Sequence, residues 1–247
     1  MAIKTKSKKM KIIVLNVQQY KDNDIIVDAI NENGPISFKV RGASKPTSPF
    51  IWLNNRLVIA EVEYVENVRY RHQILKNAKL ISYPIKDNKY SNLLAINLAN
   101  EAMNAMLEKE EQYKMFSELE GYIKAVKEYD DPLLAELIFL SKMCEVAGFG
   151  LEVNKCVYCG KTNDIVAFSF SEGGFICRSC LHDDILLDLN KDQMKLIRSV
   201  INHHSYKDLP NEKISVIDKK LLLTKFNEFI HNAVGANLGS ISLILKN

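Results

Sequence analysis

The sequence predicts an α+β, multi-domain protein: an N-terminal OB-fold-like β-barrel, a helical body, and a four-cysteine zinc ribbon inserted in that body. Three observations carry this. The first third holds five short β-branched runs with no helical period between them. The apolar spacing then changes to a helical one near Tyr83-Pro84. Two Cys-x-x-Cys pairs, 17 residues apart, interrupt the helices. At 247 residues, with 47% apolar and 26% charged side chains, the chain is long enough for one or two domains and ordinary for a globular protein, which excludes wholesale disorder.

The expected barrel occupies residues 1–82 with a basic N-terminal arm. Residues 11–17 and 24–30 read as strands, joined onward by a turn over residues 31–35. Residues 36–41 alternate, with Ile36, Phe38 and Val40 on one face and Ser37, Lys39 and Arg41 on the other. Residues 42–49 form a loop with two prolines, and residues 56–67 and 72–82 complete the set. On pattern alone an SH3-like barrel fits as well as the OB-fold. Trp52 is expected in the barrel core.

Helices are expected over residues 90–109 and 111–127. A third is capped by Asp131, with Pro132 at its first position and Gly148 at its end. Its apolar residues occur on most sides, so it reads as a central buried helix. Further helices are expected at 191–206, capped by Asn190, and at 217–234. Gly235 and Gly239 read as helix-end and turn glycines. The helical domain thus spans 83–150 and 185–247, with the ribbon at 151–184. Residues 133–150 form the best apolar stretch, but Glu136, Lys142 and Glu145 break it, so no membrane span is expected. The N-terminus lacks the apolar run and cleavage site of a signal peptide, and a cytoplasmic location is expected.

Cys156, Cys159, Cys177 and Cys180 match the spacing of a four-cysteine zinc site. A two-residue gap lets both thiolates of one turn face a single tetrahedral ion. Gly160 permits the tight turn, and residues 166–170 and 173–176 read as a hairpin turning at Glu172-Gly173-Gly174. With four sulfurs and no open position, the zinc is structural. Cys144, on the buried helix, reads as a small core residue.

Other patterns fail as catalytic motifs. Gly160-Lys161-Thr162 lacks the earlier glycine of a phosphate-binding loop, since that position is Lys155. His203-His204 reads as a helix-end pair, and Asp130-Asp131 and Asp183-Asp184 as caps or solvated faces. There is no serine elbow and no HExxH, so the residues do not predict an enzyme. Charge is asymmetric instead: residues 1–82 carry 14 Lys and Arg against 7 Asp and Glu, and the remainder 19 against 23. A basic barrel before an acidic body points to a polyanion partner.

The order of modules and the local wording resemble the RecO family of bacterial recombination mediators. Val40-Arg41-Gly42-Ala43-Ser44-Lys45 is similar to its (V/A)-K-G-A-R-R segment, with Ser44 where the family has a basic residue. Residues 148–160 are similar to its G-x-x-P-x-L-x-x-C-x-x-C-G, and residues 168–180 to its F-x-x-x-x-G-G-x-x-C-x-x-C. Leu238-Gly239-Ser240 stands where the family often has L-K-S. The resemblance implies a non-enzymatic protein that binds single- and double-stranded DNA and anneals complementary strands. It also implies contact with the C-terminal tail of the single-stranded-DNA-binding protein (SSB) and action with RecR to help load RecA. Such a protein works in the cytoplasm at the nucleoid. The expected DNA contacts are Lys39, Arg41, Lys45, Arg69 and Arg71, with Tyr70 either stacking on a base or filling the core. Lys124, Lys127 and Lys142 are candidates for the partner groove. The competing reading is a generic zinc-ribbon nucleic-acid binder without annealing activity.

Overall fold

The computed structural model describes residues 7–66, 72–85, 90–129, 132–203, 206 and 214–246. Five strands close a barrel in the order β1-β2-β3-β5-β4: β1 (Ser7–Tyr20), β2 (Asp24–Asn31), β3 (Gly34–Val40), β4 (Ile59–Val65) and β5 (Gln73–Ser82). The barrel is as expected, and its strand order is that of an OB-fold. β1 is twice the expected length because it serves two partners. Its first half pairs with β4 and its second half with β2.

Two cores share this one strand. Ile12 and Val14 point into the barrel, where they meet Val27, Phe38, Val40, Val62 and Tyr64. Ile13 and Leu15 point out and join the helical core with Ile30, Leu57 and Ile59. Successive residues alternate faces, so a strand covered on both sides must be apolar at every position. That is why residues 12–15 read as a continuous run.

Two details of the barrel differ from expectation. Pro35 belongs to β3, paired with Ile30, so the turn shrinks to Glu32 and Asn33. The far edge of β3 pairs with β5 only at Phe38 and Lys39, and at an unpaired edge a proline's missing N–H costs little. Trp52 is only half-buried. It lies on a 3-10 turn (Ile51–Asn54), packed against the barrel core, with its indole N–H donating to the Pro49 carbonyl at 2.8 Å.

The body contains α1 (Tyr90–Met106), α2 (Phe116–Glu128), α3 (Leu133–Val146), α4 (Lys191–Ile201), α5 (Val216–Val234) and α6 (Gly239–Lys246). α3 is central and buried, as its all-round apolar pattern requires. Pro132 occupies its N-cap rather than its first helical position, and Asp131 lies outside the described residues. Gly148 follows its C-cap with φ +89°. The expected 111–127 helix opens with a 3-10 turn (Gln112–Met115) before α2 begins. α4 ends at Ile201, and Asn190 caps it through a reciprocal capping box with Gln193. Gly235 ends α5 in the left-handed region, but Gly239 starts α6 instead of marking a turn.

β6 (Ile165–Ser169) and β7 (Gly174–Cys177) form the expected hairpin. Its aromatic face is not free. Phe168, Phe170 and Phe175 enter the helical core, and Phe170 meets Phe226 of α5 edge-on with ring centres 5.7 Å apart. Gly174 lets the hairpin close on the preceding loop: it bridges Glu152, whose carbonyl oxygen would lie 2.1 Å from any added Cβ.

Candidate metal centre and nucleic-acid interface

The hairpin and the loop before it bring the four predicted cysteines together. All four sulfurs lie within 4.8 Å of one another, and Cys159 Sγ and Cys177 Sγ are 3.6 Å apart. Each half of the site is a tight turn. After the first pair, Gly160 takes φ +74°, and its N–H donates to the Cys156 carbonyl at 2.9 Å. After β7, a 3-10 turn (Arg178–Cys180) brings Cys180 back toward Cys177. Cross-links hold the two turns in register: Cys156 N–H donates to Lys161 O, and Val157 N–H to Phe175 O.

The donor set fits a metal ion. A tetrahedral ion with arms of about 2.3 Å spaces its sulfurs about 3.8 Å apart, close to the separation found. Without a cation the thiols constrain one another. The Ser179 hydroxyl, 3.2 Å from Cys177 Sγ, is the main cause holding that thiol down at about 6, while the Cys159 sulfur is the main cause holding Cys180 up at about 12. Only a cation lets all four ionise so close together. Cys144 is apart from them, buried in α3, where burial pushes its thiol up.

The expected DNA contacts divide into two groups. Arg69, Tyr70 and Arg71 lie outside the described residues. Lys39, Arg41 and Lys45 come together at one end of the barrel, on the end of β3 and the loop that follows it. Asp24, at the start of β2, anchors that loop. Its carboxylate accepts the Gly42 N–H at 2.9 Å and lies 3.4 Å from Lys39 Nζ. The Gly42 N–H first, and the Lys39 ammonium after it, hold Asp24 below the ordinary aspartate range. Ser44 adds a second anchor, its hydroxyl donating to Gln19 and its N–H to the Asn23 carbonyl. Arg41 and Lys45 remain exposed on this pinned loop. The charge of Lys39 is partly engaged by Asp24.

Two residues at this end escaped the sequence reading. Tyr20 is exposed at the end of β1, and Lys39 Nζ lies 4.3 Å from its ring centre. Lys21 Nζ lies 5.7 Å from the same ring. An aromatic ring among cations, at the mouth of a barrel, is the composition of a single-strand binding surface. The signal was present in the adjacent Tyr20-Lys21, but only the barrel brings Lys39 across to it. Of the partner-groove candidates, Lys124 pairs with Glu120 on α2, and Lys142 with Glu145 on α3.

Residues 88–240 match the family model described as the C-terminal part of recombination protein O. The chain belongs to the RecO family. Full-length relatives agree. The chain is 25% identical over 235 residues to "DNA repair protein RecO" of Halalkalibacterium halodurans, covering 93% of this chain and 90% of the relative. It is 26% identical over 236 residues to the Bacillus mycoides protein of the same name, covering 93% of each, and 25% identical over 238 residues to that of a Bacillus cereus strain. RecO-family proteins act in DNA repair and recombination, and among the described residues no helix is long and apolar enough to cross a membrane.

Proposed function

We propose that this RecO-family chain is a non-enzymatic recombination mediator: it binds single- and double-stranded DNA, anneals complementary strands, and works with RecR and SSB to load RecA. The supporting observation is the cationic end of the barrel. Lys21 and Lys39 lie against the Tyr20 ring, and Arg41 and Lys45 stand exposed on the loop that Asp24 holds, in a chain of this family. Two DNA strands repel through their phosphates, and a pinned row of cations lowers that barrier by displacing counterions without choosing a sequence. The work is done by binding, and no bond is made or broken.

The metal in this reading is zinc, held by Cys156, Cys159, Cys177 and Cys180. Zinc supplies a cross-link between the two cysteine turns and no reaction. The domains follow: a basic barrel over residues 1–82, a helical domain over 83–150 and 185–247, and the ribbon over 151–184. The protein is cytoplasmic and nucleoid-associated.

The test is annealing of two complementary oligonucleotides coated with SSB. Acceleration by this chain that fades with salt is the expected result. Tight DNA binding with no acceleration would replace the mediator by a generic zinc-ribbon nucleic-acid binder.

A further inference from the structure

A cleft of about 550 Å³ lies between the barrel and the segment joining α1 to α2. It sits at the opposite end of β3 from the cationic loop. Ser37 lines it, and Arg41 follows four residues later along the strand, roughly 13 Å away. The volume is in the range of specific small-ligand and peptide sites. Its apolar lining comes from Leu15, Ile30, Ile36 and Tyr64.

Among its described lining residues, the charge opposes that of the domain. The barrel third of the chain has only seven acidic residues, yet Asp28 and Glu66 both line the cleft, and Glu110 approaches from the helical side. Asp28 is held in place by the Ser37 hydroxyl at 2.8 Å, and that hydroxyl is itself 2.8 Å from His72 Nδ1. Lys8 pairs with Glu66, and Lys109 is the one Lys or Arg among the described lining residues.

The carboxylates are spread along the cleft. Among the described residues, the four cysteines alone bring three or more ligating side chains within reach of one ion. Spread negative charge over an apolar lining complements spaced cations with apolar groups between them. We propose that this cleft docks an extended segment of a partner protein in which Arg or Lys alternates with apolar residues. The apolar side chains would lie against Ile36 and Tyr64, and the cations would face Asp28 and Glu110. This inference does not depend on the DNA reading.

The test uses the full chain and a fluorescein-labelled hexapeptide of alternating Arg and Leu with blocked ends, followed by anisotropy. Saturable binding is expected. The double variant Asp28→Asn with Glu110→Gln should weaken it by roughly tenfold, because two charge pairs are lost while shape is kept. A control variant, Asp183→Asn with Asp184→Asn, should bind as the parent does, and all variants should keep the parent's DNA affinity. Equal peptide affinity in the Asp28/Glu110 variant would overturn the proposal. So would equal competition by spermidine, which would reduce the cleft to a polycation sink. Binding seen only after deletion of residues 1–6 would assign the cleft to the chain's own basic arm and equally overturn it.

Discussion

Glu101 and Ser240, 139 residues apart, lock the end of the chain to α1. The two carboxylate oxygens of Glu101 accept the Ser240 N–H at 2.9 Å and its hydroxyl at 3.0 Å. α6 thus begins on a negative charge supplied by another helix, which satisfies a free N–H and complements the helix dipole. The helix then buries Ile241 and Ile244 in the shared core. Glu101→Ala should cost about 1–3 kcal/mol and lower Tm by several degrees. Limited proteolysis should show earlier cleavage at the C-terminus, and an unchanged melting curve would remove the lock.

Gly174→Ala should be among the most damaging single changes in the ribbon. The new Cβ would meet the Glu152 backbone at 2.1 Å, and φ at this position is +151°. The atoms it would meet are all backbone and cannot swing away. A loss of more than about 3 kcal/mol is expected by chemical denaturation. Gly160→Ala has no atom within 4 Å of its Cβ and carries only the conformational cost of φ +74°, about 1–2 kcal/mol.

Cys156→Ser should abolish stoichiometric zinc and lower thermal stability, with chelation of the parent reproducing the shift. Cys144→Ala should leave zinc content unchanged. Elemental analysis beside a melting curve distinguishes the two. A melting temperature insensitive to chelation would refute the structural role.

Asp24 gives the cationic loop an acid limit. Its folded pKa lies below the ordinary value of about 3.9, so its contribution is complete above that value and is lost as pH falls through the depressed one. Asp24→Asn should flatten the stability profile in that acid window. Near neutral pH it should loosen the loop from Gly42 onward, seen as faster amide exchange at Gly42.

Neutralising Arg41 and Lys45 together should reduce the slope of log affinity against log salt by about 1.4–1.8, at every DNA sequence. Lys39→Ala should reduce it less, because Asp24 already shares that charge. Equal slopes in all variants would move the DNA contacts elsewhere.

The local signals proved legible where short-range chemistry decides. The change of period at Tyr83-Pro84, the capping role of Asn190, the left-handed glycines at 148, 160 and 235, and the converging cysteine pairs were all readable from neighbours in sequence. α6 was not. It is eight residues long, too short to be stable alone, and its capping group comes from α1. Trp52 was misplaced because its indole found a local carbonyl on the 3-10 turn, where half-burial satisfies both ring and N–H.

The sequence by itself determined the five barrel strands, the helices α1 to α5 and the four-cysteine set, because hydrophobic period, turn residues and Cys-x-x-Cys spacing act over a few residues. Tertiary structure alone decided which charges stand together. Lys39 reaches Tyr20 and Asp24 only because β1, β2 and β3 are adjacent, and Asp28 meets Glu110 across a cleft only because the barrel packs on the helices. Coulomb interactions depend on distance in space, and the closing of the barrel and its packing on the body set those distances.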